Sequence, residues 1–112
     1  MKKFLLMFSL FVSLTSYAQT NGEMRIATST AVGQDFEFRV TRTNDASKVF
    51  VDWGDGNKQE ATLEGWSSNK KVTGKLLKDT IVVYGDFSAV EVSEAKATYL
   101  AFKNQPNLKQ VE

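Results

Sequence analysis

Residues 49–56, Val-Phe-Val-Asp-Trp-Gly-Asp-Gly, constrain the fold of this chain more than any other segment. The apolar residues Val49, Val51 and Trp53 alternate with their neighbours, so an extended strand at this position has one apolar face. The glycines that follow allow the chain to reverse sharply, because glycine adopts positive φ without a steric penalty. The segment therefore predicts a strand with Trp53 in the core, followed by a turn made of Gly54, Asp55 and Gly56.

The rest of the chain also shows the two-residue period of strands. In residues 34–41 the apolar side chains Phe36, Phe38 and Val40 are predicted to face inward. Residues 93–99 are the one ambiguous stretch, since their Ala, Glu and Lys also suit a helix. We therefore expect an all-β fold, with further strands in residues 24–29, 58–63, 72–77 and 80–84.

Residues 1–18 have the pattern of a secretory signal peptide. Lys2 and Lys3 precede an apolar run, residues 4–14, and Ser16-Tyr17-Ala18 places small residues where signal peptidase cleaves. The run is shorter than the roughly 20 residues that span a bilayer, so we expect no membrane span after cleavage. No cysteine follows it, which excludes a lipoprotein. We predict cleavage after Ala18 and a secreted or cell-surface protein.

The composition removes several classes of chemistry. The chain has no His and no Cys, which excludes a Ser-His-Asp triad, a thiol nucleophile and a Cys/His zinc site. A carboxylate pair remains possible in principle, but a β module this small offers little depth for a glycosidase cleft. Loss of the leader leaves 12 basic and 13 acidic residues. This near-neutral balance lacks the excess of positive charge that binds nucleic acid or an anionic membrane. We expect a non-catalytic protein without a cofactor.

The C-terminal part of the chain repeats itself. Residues 87–91 (Phe-Ser-Ala-Val-Glu) and 108–112 (Leu-Lys-Gln-Val-Glu) share the pattern large apolar-x-x-Val-Glu, so that Val90 corresponds to Val111. The two copies are 21 residues apart, and residues 97–104 carry a related apolar pattern about midway between them. A period near 20 is typical of leucine-rich repeats.

Two family resemblances follow from these motifs. A strand ending in Trp-Gly-Asp-Gly, residues 53–56, resembles a corner of PKD-like, immunoglobulin-type β-sandwich domains. The chain also resembles the N-terminal part of Bacteroidetes secreted leucine-rich-repeat surface proteins. The resemblance rests on the order of four motifs: that turn, Gly74-Lys75, the Ile-Val-Val-Tyr-Gly of residues 81–85, and the repeat-like residues 97–108. Phe102 and Ala95 depart from that pattern, since such repeats usually carry Leu and Asn there.

The resemblance implies a domain layout. Residues 19–85 would form a small sandwich and residues 86–112 would begin a leucine-rich-repeat-type solenoid. Only one complete period is present, whereas a solenoid generally needs about three repeats to bury its core. Two alternatives stay open: the chain is truncated within a longer solenoid protein, which we favour, or the repeat is the last hairpin of a self-contained sandwich.

The same resemblance implies a function and partners. The sandwich would cap the solenoid of an adhesion or recognition protein that binds a protein ligand at the cell surface. The alternative is a stand-alone carbohydrate-binding or spacer module, with Trp66 and Tyr99 as platforms for a surface glycan. Trp66 lies in a Gly/Ser/Asn loop, where it either anchors a ligand or folds back as a lid over the sandwich edge. The lid is the favoured interpretation.

Two further groups of side chains are candidate sites. The oxygen donors of Asp52, Asp55 and Asn57 are close in sequence and suit calcium, but their spacing is not that of an EF-hand. We expect no metal there, with Asp55 capping the turn and Asp52 solvated. The basic residues Lys70, Lys71, Lys75 and Lys78 are expected to protect an edge strand from aggregation.

Overall fold

The computed structural model describes residues 22–93 and 95–112, so the predicted leader and its cleavage site lie outside the described residues. The described chain is all-β, as predicted, and forms two sheets. Its strands are β1 (Glu23–Thr28), β2 (Asp35–Arg42), β3 (Phe50–Asp52), β4 (Gln59–Glu60), β5 (Asn69–Lys75), β6 (Thr80–Tyr84), β7 (Phe87–Glu91), β8 (Ala97–Lys103) and β9 (Gln110–Val111).

The first sheet has five strands in the order β4-β3-β6-β1-β8. All of its pairs are antiparallel, and β1 lies between β6 and β8. Met24 of β1 is opposite Val83 on one side and Phe102 on the other. Cross-strand partners share a face of the sheet, so these three side chains point toward the core.

The second sheet has four strands in the order β5-β2-β7-β9. β2 is central and pairs antiparallel with β5 and with β7. Its alternation places Phe36, Phe38 and Val40 inward, and all three are buried. The last pair of this sheet, β7 with β9, is parallel.

The core lies between the two sheets. Trp53 comes directly after β3 of the first sheet, and its ring centroid is 6.5 Å from that of Phe38 on β2 of the second. Gly74 on β5 makes room for this indole, because a Cβ at Gly74 would overlap the Trp53 ring. The two sheets therefore pack face to face, in agreement with the predicted β-sandwich.

The C-terminal strands belong to the same two sheets. β7 pairs with β2, and β8 pairs with β1 over six register positions, so the predicted boundary between residues 85 and 86 does not coincide with a break in either sheet. Of the ambiguous residues 93–99, those that the structure describes form turns and then the start of β8, and no helix occurs in the described part of the chain. The described residues likewise contain no stacked series of solenoid repeats.

One side chain joins the C-terminal loop to the rest of the sandwich. Gln105, in the loop between β8 and β9, accepts a hydrogen bond from the Phe87 backbone N–H at 3.1 Å. Its amide nitrogen donates to the carbonyl oxygens of Gly85 at 2.8 Å and Glu23 at 3.4 Å. The loop is thereby fastened to the start of β1 and to the turn between β6 and β7.

Candidate functional site

The loop between β4 and β5 presents a single aromatic side chain to solvent. Glu64 and Lys71 form an isolated antiparallel bridge in which each backbone N–H donates to the other residue's carbonyl, at 3.0 and 2.9 Å. Their side chains form an ion pair of 3.7 Å across the same bridge. Trp66 lies within the closed loop and is 100% exposed. Trp66 therefore does not fold back over the sandwich edge, and the favoured lid interpretation is wrong.

Tyr99 is the other predicted ligand-binding residue. It lies on β8, is 61% exposed, and is opposite Ala27 of β1, which places it on the outer face of the five-stranded sheet. The loop that carries Trp66 begins after β4, at the far edge of that sheet, four strand spacings or about 19 Å from β8. The structure therefore does not bring the two aromatic side chains together.

The Gly-Asp-Gly turn is capped by the carboxylate oxygens of Asp52 and Asp55, two of the three candidate metal ligands. Asp52 Oδ1 accepts hydrogen bonds from the backbone N–H groups of Gly54 at 2.9 Å and Gly56 at 3.0 Å. Asp55 Oδ1 accepts the N–H of Asn57 at 3.0 Å. Asp52 is thus a turn cap and not the solvated residue that was expected. Within the described ranges, no three acidic side chains come together as a metal site.

Positive φ angles occur at both glycines of this turn. Gly54 has a φ of 128° and Gly56 a φ of 83°. A Cβ at Gly54 would lie 2.6 Å from the backbone nitrogen of Lys78, whereas one at Gly56 would meet open space. Residue 54 therefore requires glycine both for its positive φ and for its close approach to the Lys78 backbone. Residue 56 requires glycine for its positive φ alone.

Three of the four clustered lysines lie on β5, an edge strand of the four-stranded sheet. Lys71 pairs with Glu64, and the Lys70 amine donates to the carbonyl oxygen of Gly65. These two amines are therefore engaged by groups of the neighbouring loop. The arrangement suits an edge strand protected against pairing with other chains.

The outer face of the five-stranded sheet carries an aromatic pair that alternation alone did not single out. Phe50 of β3 is opposite Tyr84 of β6, and Lys58 Nζ lies 4.1 Å from the centroid of the Tyr84 ring. Burial is the main reason why the pKa of the Tyr84 hydroxyl lies above 10.0, and the neighbouring carboxylates of Glu23 and Asp52 raise it further. Tyr84 therefore stays neutral at physiological pH and serves as a packing surface for Lys58.

The edges of β8 and β9 leave apolar side chains partly uncovered. Each strand is the last of its sheet, and the two are joined by the short loop 104–109, so both edges lie on one side of the sandwich. Phe102 is 37% exposed and Val111 is 43% exposed, although both share a face with buried partners, Met24 and Val90. We call this surface, made of β8 and β9, the open side.

Comparisons with known proteins return no relative. No family model matches the sequence, and no curated protein and no solved structure matches it. Among the residues that the structure describes, no helix is long and apolar enough to cross a membrane.

Proposed function

We propose that this chain is a non-catalytic, exported β module that caps the N-terminal end of a leucine-rich-repeat-type solenoid in a cell-surface recognition protein. The observation that carries the proposal is the register of the parallel pair. Ala89 is opposite Gln110, and Val90 is opposite Val111. These are also the corresponding positions in the two copies of the repeated sequence pattern.

The path between the two parallel strands supports the same proposal. From β7 in the four-stranded sheet the chain crosses to β8 in the five-stranded sheet, and then returns to β9 beside β7. Residues 87–111 therefore make one full circuit around the end of the core. A solenoid is built from such circuits, each of which contacts its neighbours in the stack.

The open side is the surface on which a further circuit would stack. Among the described strands, β8 and β9 each have a neighbour on one edge only, and an unpaired backbone edge pairs readily with another strand. Phe102 and Val111 supply partly exposed apolar area next to those edges. On this proposal the PKD-like sandwich is structural, and protein ligands bind to the extended surface that a solenoid provides.

The non-catalytic part of the proposal rests on residue chemistry. Without His or Cys, the chain lacks the side chains used in the common nucleophilic and zinc-dependent mechanisms. The exposed Trp66 favours a second, separate role in binding.

A tandem extension of the chain tests the cap proposal. The exported form, starting at Gln19, is produced with a second copy of residues 92–112 appended after Glu112. If the open side accepts another circuit, the appended strands become protected in amide hydrogen exchange, because each gains a backbone partner. The matched control carries the same appended segment in scrambled order. Appended residues that exchange as fast as those of the scrambled control would refute the proposal.

A further inference from the structure

We propose that the loop closed by Glu64 and Lys71 is a carbohydrate-binding site in which the Trp66 indole stacks on a pyranose ring of a neutral glycan. This inference does not depend on the cap proposal, since the loop lies at the edge formed by β4 and β5 and not on the open side.

The loop is preorganised to hold its aromatic side chain away from the sandwich. The bridge between Glu64 and Lys71 closes it with two backbone hydrogen bonds and one ion pair. Inside the loop, the Ser67 hydroxyl donates to the Asn69 carbonyl at 3.2 Å, and the Lys70 amine donates to the Gly65 carbonyl. A binding loop fixed in this way loses little conformational entropy when a ligand arrives.

The exposure of Trp66 is unusual for its residue type. Tryptophan is highly buried on average, because the transfer of its large apolar surface out of water is favourable. Trp66 is 100% exposed, so both faces of the indole are open to a ligand. The other tryptophan of the chain, Trp53, is 9% exposed and packs in the core. Trp66 is therefore available for binding without any loss of core packing.

The neighbours of Trp66 favour a sugar over a protein or a lipid surface. Protein hot spots lie in well-packed patches, and serine is depleted there, yet Gly65, Ser67 and Ser68 flank this indole and all are exposed. A loop that inserts into a membrane interface needs more apolar area than one side chain supplies. A pyranose ring instead offers one flat C–H face for the indole. Its hydroxyl groups can bond to the Ser68 side chain and donate to the Ser67 oxygen, which can still accept while its hydroxyl donates to Asn69.

The local charges favour a neutral glycan. The Lys71 amine is paired with Glu64, and the Lys70 amine is directed to the Gly65 carbonyl within the loop. An anionic sugar would have to displace these contacts to gain a charged partner. A neutral sugar requires no such rearrangement.

Isothermal titration with defined oligosaccharides tests the inference. The probes are cellohexaose, xylohexaose, mannohexaose and chitohexaose, each titrated into the exported form of the protein. We expect at least one to bind, with a dissociation constant on the order of millimolar for a site with one stacking residue. Trp66→Ala should weaken that binding about tenfold or more, the effect of removing one aromatic stacking partner.

The matched control is Val32→Ala, which truncates an exposed apolar side chain near the opposite end of β5 from the loop and should leave binding unchanged. Thermal melts that coincide with the wild type show that both variants are folded. The inference is overturned if none of the four sugars binds at millimolar concentration, or if Trp66→Ala binds as tightly as the wild type. Binding to phosphatidylcholine or phosphatidylglycerol vesicles in place of any sugar, lost in Trp66→Ala, would also overturn it and identify a membrane contact.

Discussion

At the scale of single residues, the packing of Trp53 depends on a glycine from the other sheet. The indole occupies the position that a side chain at Gly74 would take, and it lies beside the Phe38 ring. Aromatic groups dominate the packing energy of a core this small because of the area that they bury. One glycine and one tryptophan thus specify how the ends of β3 and β5 meet.

The two tryptophans should respond differently to truncation. Trp53→Ala should lower the free energy of unfolding by about 3–5 kcal/mol, the usual range for a buried aromatic residue. Trp66→Ala should change it by less than about 0.5 kcal/mol, since a fully exposed side chain makes no packing contact that is lost. Denaturant unfolding followed by circular dichroism measures both. A larger loss at Trp66 than at Trp53 would contradict the assignment of core and surface.

The two turn glycines form a second matched pair. Gly56→Ala should cost about 1–2 kcal/mol, the penalty for a side chain in the left-handed region. Gly54→Ala should cost more, because its Cβ also meets the Lys78 backbone nitrogen at 2.6 Å. Thermal melts of the two variants give the order. Equal losses would mean that the backbone near Lys78 yields freely.

Sequence reasoning succeeds at residues that belong to a periodic strand. Alternation predicts that Phe36, Phe38 and Val40 face inward, and the structure buries all three. It fails in loops, where no period relates a side chain to the core, so the exposure of Trp66 was not predicted. The role of Asp52 was missed because its alternation with Val51 and Trp53 indicates only the outer face, and not its bonds to the turn.

At the scale of strands, β7 occupies a position that the sequence did not indicate. It lies between β2 and β9 in the four-stranded sheet, and its Phe87 and Val90 are buried in the common core. The chain after Gly85 therefore contributes one central strand, β7, and two edge strands, β8 and β9, to the sandwich.

Truncation tests this contribution. A chain that ends at Gly85 should be unfolded, because it lacks β7, one of the two backbone partners of β2, and β8, one of the two partners of β1. It also loses the buried side chains Phe87 and Val90 from the core. A chain that ends at Asn107 loses only β9 and its neighbours and should still fold, with a lower melting temperature. Far-ultraviolet circular dichroism during heating distinguishes the two. A cooperative transition in the shorter chain would instead support the prediction that residues 19–85 form an independent unit.

The pairing of distant strands explains why the predicted boundary does not match a break in the sheets. Periodicity identifies which residues of a strand face inward, but it carries no information on which strand lies alongside. The C-terminal repeat is evident in the sequence, and the structure places its two copies side by side in β7 and β9. The pairing of β8 with β1 joins strands from opposite ends of the described chain, and such a pairing leaves no local pattern.

At the scale of the whole molecule, the sandwich is held together without a disulfide, since the chain contains no cysteine. Small exported domains are often cross-linked by disulfides, because their cores are small relative to their surfaces. Here the contacts of Gln105 and the backbone pairing of β7 and β8 fasten the C-terminal part to the remainder.

Export of the molecule is a prediction about its first residues. The mature protein should begin at Gln19, because a basic and then apolar segment ends in Ser16-Tyr17-Ala18. Intact mass determination on material recovered from outside the cytoplasm measures the first residue. Recovery of exported protein that retains Met1 would contradict the predicted cleavage.

The contrast between Trp53 and Trp66 also gives the protein two built-in optical reporters. The Trp66 indole is fully exposed, so an aqueous quencher such as iodide reaches its excited state in the folded protein. The Trp53 indole is 9% exposed and is shielded from the same quencher until the sheets separate. Emission from Trp66 therefore reports on events at the loop, and emission from Trp53 reports on the integrity of the core, without any attached dye.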